Sequence, residues 1–156
     1  DASPCVYLNM PHKEKARERD LDETEIKALW KGLDNTRIVD SIKLALKFIL
    51  VTGQRPGEVA SAEWSEIDIR KNCWEIPSAK TKNGKLNRVP LSKLALELLR
   101  EAKQNSDDSR WLFPSPFHKL EDKAIAKGSL PHAVQKSLPI FGIDHFIYAS
   151  KPEHAP

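Results

Sequence analysis

The sequence predicts an α+β fold, a mostly helical domain with one small antiparallel sheet inserted near its middle. Three observations carry this. Apolar residues recur at helical spacing in several stretches, which marks amphipathic helices. Between Ile67 and Leu91 the spacing switches to alternation, as in strands. Within that interval Asn83-Gly84 lies between two short apolar runs, the signature of a hairpin. Helices, then a short sheet, then helices again make one mixed domain rather than a βαβ array.

The elements follow in order. Residues 1–16 contain Pro4 and Pro11, lack periodicity and are expected to form a tail or linker. A mixed charge run leads to a first helix that Asp22 caps, with Glu25 completing a capping box. Ile26, Leu29, Trp30 and Leu33 form its stripe, and Gly32 with Asp34-Asn35 is expected to end it. The strongest helical signal covers residues 38–51, with Ile38, Ile42, Ala45, Leu46, Ile49 and Leu50 on one face and Lys43 and Lys47 on the other. Gly53 suits the left-handed residue that closes a helix. Pro56 fits the first position of the next, Glu58 suits its positive end, and Val59, Ala60 and Ala62 carry it to Trp64.

Ile67 with Ile69, Trp74-Glu75-Ile76 and Arg88-Val89-Pro90-Leu91 then read as short strands. Asn83-Gly84 is expected to form a tight type I′ turn at the basic tip of the hairpin. Ser92 caps a helix with Leu94, Ala95, Leu98, Leu99 and Ala102 inward. After a polar loop, Trp111-Leu112-Phe113 is a short apolar segment cut by Pro114 and Pro116. A last helix is expected over residues 131–141 with Ala133, Val134 and Leu138 inward, and residues 147–156 read as a divergent tail.

Composition excludes several classes. The 156 residues suit one domain with a real apolar core, and 40% hydrophobic with 30% charged residues is ordinary for a globular protein. No apolar run nears the roughly 20 residues that span a bilayer. No basic start followed by an apolar segment marks a secretory signal, so no membrane partner and a cytoplasmic location are expected. Cys5 and Cys73 are too few for a disulfide framework or a structural zinc site, and read as free thiols. His12, His118, His132, His145 and His154 show no ligand spacing, so no metal is expected.

Two features bear on chemistry. From Arg70 to Lys93 seven basic residues (Arg70, Lys71, Lys80, Lys82, Lys85, Arg88 and Lys93) face one acid, Glu75, whereas the whole chain is only +3. Such a hairpin either reaches a phosphate backbone or blunts a sheet edge with lysine, and charge alone leaves both readings open. The second feature is Thr52-Gly53-Gln54-Arg55-Pro56-Gly57-Glu58, an arginine between a helix stop and a helix start. Free N–H groups and a guanidinium fork there suit an anion, with Glu58 one turn on to hold the arginine. An ordinary interhelical turn with a surface arginine is the other reading.

The compound pattern settles more than either part. An apolar helix, the box around Arg55, Trp64-Ser65-Glu66-Ile67-Asp68, a lysine-tipped hairpin leading to Val-Pro-Leu-Ser, and Trp111-Leu112-Phe113-Pro114 together resemble the catalytic domain of tyrosine recombinases. The likeness is to integrases of bacteriophages and genomic islands in particular, over residues 17–146. It implies a DNA breaking and rejoining reaction on double-stranded, attachment-site-like DNA, without a cofactor. By the same resemblance Arg55 binds the scissile phosphate, Lys82 protonates the leaving 5′ oxygen and Glu58 orients Arg55. Lys82 is preferred over Lys80 and Lys85 because it immediately precedes the Asn-Gly pair. Lys80, Lys85, Arg70, Lys71 and Arg88 are expected as further DNA contacts.

The pattern departs from the family beyond that point. The family's second box, His-x-x-Arg, and its later nucleophilic tyrosine have no match, since no arginine follows Arg110. His145 reads as a bystander, Tyr148 stands where the second arginine would be, and Tyr7 lies in the tail. The catalytic domain is therefore expected to lack its closing helices and to be inactive in strand transfer by itself. Apolar surface left by those helices is expected to favour self-association. Two other classes fit the residues: a non-catalytic DNA-binding module and a helical protein–protein module.

Overall fold

A computed structural model describes residues 20–106, 108–117 and 121–143. Five helices and a three-stranded antiparallel sheet occur among them, in the predicted order: α1 Glu23–Asp34, α2 Asp40–Thr52, α3 Pro56–Ala60, β1 Ile67–Asp68, β2 Cys73–Ile76, β3 Asn87–Pro90, α4 Lys93–Asn105 and α5 Ser129–Phe141. Strand order is β1-β2-β3. The tails proposed for residues 1–16 and 147–156 lie outside the described residues, as do Cys5, Tyr7, His12, His118, His145, Tyr148 and His154.

The local signals act as their chemistry demands. Asp22 accepts from the Glu25 amide at 2.8 Å, and Glu25 accepts in return from the Asp22 amide at 3.1 Å. Ser92 caps α4 by accepting from the Ala95 amide. Gly53 closes α2 at φ 65°, donating to the Ile49 carbonyl at 2.8 Å. That backbone conformation costs a residue with a Cβ about 1–2 kcal/mol.

α2 is the axis of the domain and packs against α1, α3, α4 and α5. Phe48 on α2 lies 5.6 Å from the ring of Trp74 on β2 and 5.6 Å from that of Phe113. These three rings are buried and join the helices to the sheet. The segment around Trp111-Leu112-Phe113 reaches that core through backbone pairing, since Leu112 donates to the Ala62 carbonyl and Trp64 to the Arg110 carbonyl.

Several expectations are corrected. Gly32 does not end α1. It is buried within the helix, and a Cβ there would collide with the ring of Phe141 on α5, so glycine is what lets the two helices approach. Lys47 is not on a solvent face. Its side chain is buried between helices, its ammonium 2.6 Å from Asp34 and 5.2 Å from the centre of the Trp30 ring. α2 has neighbours on nearly every side, so its polar face is enclosed too.

α3 stops at Ala60 rather than at Trp64, which opens a short 3-10 turn, Trp64–Glu66. Leu94 is exposed, unlike the rest of the α4 stripe. Asn83-Gly84 is not a two-residue type I′ turn. The register pairs Ile76 with Asn87, which leaves residues 77–86 as a longer loop. Only Gly84 of that pair has positive φ, and Gly84 donates to the Thr81 carbonyl. Pro77 has no N–H to extend the ladder, so the strand ends there.

Candidate functional site

Arg55 stands at the junction of α2 and α3 with φ −64° and ψ 141°, an extended residue that starts the short helix. Pro56 follows at the first helical position, where a missing N–H costs nothing. Glu58, one turn on, is 3% exposed and accepts twice from the same residue, from the Arg55 amide at 3.2 Å and from its guanidinium Nη1 at 3.2 Å. The carboxylate thus fixes both the backbone and one edge of the guanidinium. The Arg55 side chain remains 65% exposed.

Lys82 comes from the loop at residues 77–86, far along the chain. A cleft of about 460 Å³ lies between α3 and this loop, and Arg55, Gly57, Glu58, Ser61, Thr81 and Lys82 line it. The two residues singled out in the sequence therefore share one cleft. Lys127 lines it as well, just before α5, and its stem lies against α3 so closely that a Cβ at Gly57 would be 3.7 Å from its Cδ. The sequence reading missed Lys127. No local pattern marked it, since Lys127 stands two residues before Ser129 and four before the helix start expected at residue 131.

The other basic residues are distributed differently. Lys80 also lines the cleft, but its ammonium is engaged by the Ser61 carbonyl at 2.7 Å, by Glu63 at 2.8 Å and by Glu66. An ammonium has three N–H donors. None is left for the phosphate contact expected of Lys80, and that expectation is corrected. Burial alone would lower its pKa, yet the bonds to Glu63 and Glu66 outweigh this and hold it above 10.5.

Arg88 makes a cross-strand pair with Glu75 at 2.9 Å. Lys71 pairs with Asp68 at 3.0 Å in the β1–β2 turn. That bond raises the pKa of the lysine and lowers that of the carboxylate. Arg70 and Lys85 are exposed. None of these four residues lines the cleft. Among the described residues no three His, Cys, Asp or Glu side chains group as metal ligands, and no helix is long and apolar enough to cross a membrane.

Comparison with known proteins bears on the family and the fold. The model of the Phage integrase family matches residues 19–146. Prophage integrase IntA of Escherichia coli K12 is 31% identical over 118 residues, covering 74% of this chain and 28% of the relative. The integrase of Enterobacteria phage P4 is 31% identical over 129 residues, covering 75% of this chain and 27% of the relative. The chain thus spans less than a third of either protein.

Among solved structures, lambda integrase bound to DNA superposes with a TM-score of 0.67 at 18% identity, covering 85% of this chain and 46% of that one. XerA recombinase gives 0.61 at 18% identity over 80% of this chain and 44% of its own. At such identity these two structures establish the fold, a mostly helical domain with a small antiparallel sheet. With the family model matched across all the described residues, the chain belongs to the Phage integrase family.

Proposed function

We propose that this chain forms part of a tyrosine-recombinase catalytic domain for site-specific recombination, and that the cleft between α3 and the residue 77–86 loop grips a DNA phosphodiester. One observation carries the reading: Arg55 and Lys82, separated in sequence, line the same cleft. In the family's reaction a tyrosine oxygen bonds to phosphorus as the 5′ oxygen leaves, and this sequence offers no match for that tyrosine. Within that step the positioned guanidinium of Arg55 stabilises the negative charge on the non-bridging oxygens. The departing 5′ oxygen needs a proton, and the Lys82 ammonium supplies one. Glu58 holds the arginine in place for this. Lys85, Arg70, Lys71 and Arg88 contribute to the field that draws in DNA, attachment-site DNA in the cytoplasm being the natural target.

The apolar groove lined by Leu29, Leu46, Ile49, Leu50, Leu130 and Val134 supports the expected self-association with a second copy. Light scattering that shows only monomer at high concentration removes that element.

The main test is fluorescence anisotropy of a labelled mixed-sequence duplex, titrated between about 50 and about 200 mM salt. Arg55→Ala and Lys82→Ala are each expected to weaken binding and to reduce the salt slope by about one. Binding untouched by both substitutions points to a groove binder that does not use the cleft. No binding even at low salt points to a protein–protein module, and either result overturns the proposal.

A further inference from the structure

The loop that carries Lys82 stands on two feet, one planted on the chain just after α3 and the other on the residue before Arg55. One foot is Lys80, whose ammonium crosses to the Ser61 carbonyl, Glu63 and Glu66, in the chain immediately after α3. The other is Asn87, whose Nδ2 donates to Gln54 Oε1 at 2.9 Å, one residue before Arg55. Between the feet the loop is braced internally. Thr81 Oγ1 donates to the Lys85 carbonyl at 2.8 Å, and the Lys85 amide donates to Asn83 Oδ1 at 3.3 Å.

The Lys80 foot is set deep. Glu66, 6% exposed, also accepts from the Trp74 indole at 3.0 Å, and the Lys80 ammonium lies 5.6 Å from the centre of the Trp111 ring. The peg thus joins the loop, the sheet, the turn after α3 and the apolar segment at Trp111. Lys82 itself makes no ion pair among the described residues, so the loop alone determines where its long side chain begins.

We propose that Lys80 is a positioning residue, which with Asn87 as the second foot fixes the loop so that Lys82 is delivered to the cleft holding Arg55. The proposal rests on the phosphate-gripping reading above. It assigns Lys80 a task different from that of its neighbour two residues on, although both are lysines of one basic loop.

Two measurements on the full chain test it. Amide hydrogen exchange is expected to be at least about tenfold faster at residues 81–85 in Lys80→Met, while α2 and α4 keep their protection. Lys80→Met leaves Glu63 and Glu66 without their counter-charge, so Asn87→Ala, which strands no charge, serves as the second variant and is expected to loosen the same residues. Unchanged exchange in the loop of both variants overturns the proposal, whether or not the protein binds DNA.

The second measurement is a double-mutant cycle on affinity for the mixed-sequence duplex. Lys82→Ala is expected to weaken binding about fivefold in the natural background and less than about twofold in Lys80→Met, while Arg55→Ala costs the same in both. An equal Lys82→Ala loss in the two backgrounds overturns the positioning role. Loss of all DNA binding in the unsubstituted chain sinks the phosphate reading alone and leaves the exchange result to decide on the loop.

Discussion

The two walls of the cleft reach the same place by opposite means. The Arg55 wall is built locally: a glycine closes α2, a proline opens α3, and Glu58 ties arginine backbone and guanidinium within a single turn. The Lys82 wall is built at a distance, with feet that join residues 14 to 33 positions apart in the chain. A local wall depends on a few adjacent residues and resists change elsewhere. A long-range wall takes its shape from the whole core, so damage to the core should reach Lys82 before it reaches Arg55.

The largest expected effect tests that contrast. Trp74→Ala removes a fully buried ring that supports β2 and donates to Glu66, and should cost about 3–5 kcal/mol in urea unfolding. In protein that remains folded, exchange should rise in the loop at residues 77–86 and stay low at the α2–α3 junction. Equal loosening of both walls would erase the distinction. Glu58→Ala should do the converse. It leaves the Arg55 amide and guanidinium without their carboxylate, at a cost of about 1–3 kcal/mol, and lowers DNA affinity without altering exchange at residues 81–85.

Gly53→Ala should cost about 1–2 kcal/mol through left-handed strain alone, since a Cβ there meets open space. The smallest effect is a pH dependence. The folded-state pKa of Lys80 lies above its ordinary 10.5, so its contribution is complete below 10.5 and is lost as pH rises through the higher folded value. The stability difference between the natural chain and Lys80→Gln should therefore shrink in alkaline buffer above 10.5 and stay constant between pH 6 and about pH 9. A gap that persists unchanged into strong alkali would show that the ammonium is not the foot.

The same contrast explains what could be read from the sequence. Caps, the left-handed glycine, the arginine box and the alternation of the strands are written in neighbouring residues, and Arg55 with Glu58 was legible for that reason. Lys82 was singled out through the family pattern rather than through any local rule, and it lines the cleft that Arg55 lines. Lys80 was misread because charge and spacing mark it as one more basic tip residue, whereas its acceptors lie on Ser61, Glu63 and Glu66 across the fold. Lys47 failed for a related reason, since a helical wheel assumes a solvent side that α2 does not have. Asn83-Gly84 looked like a complete turn, but Pro77 ends the ladder early and a longer loop takes over.

The bare backbone of Gly32 against the Phe141 ring has a practical corollary for anyone trimming this domain. The first and last helices among the described residues are mutual lids, so a shortened polypeptide that starts after Asn35 would uncover the aromatic end of α5. Lys127, just before the opposite end of that rod, lines the cleft together with Arg55, so a displaced α5 would alter the cleft as well. Deletion boundaries are safest placed upstream of Asp22.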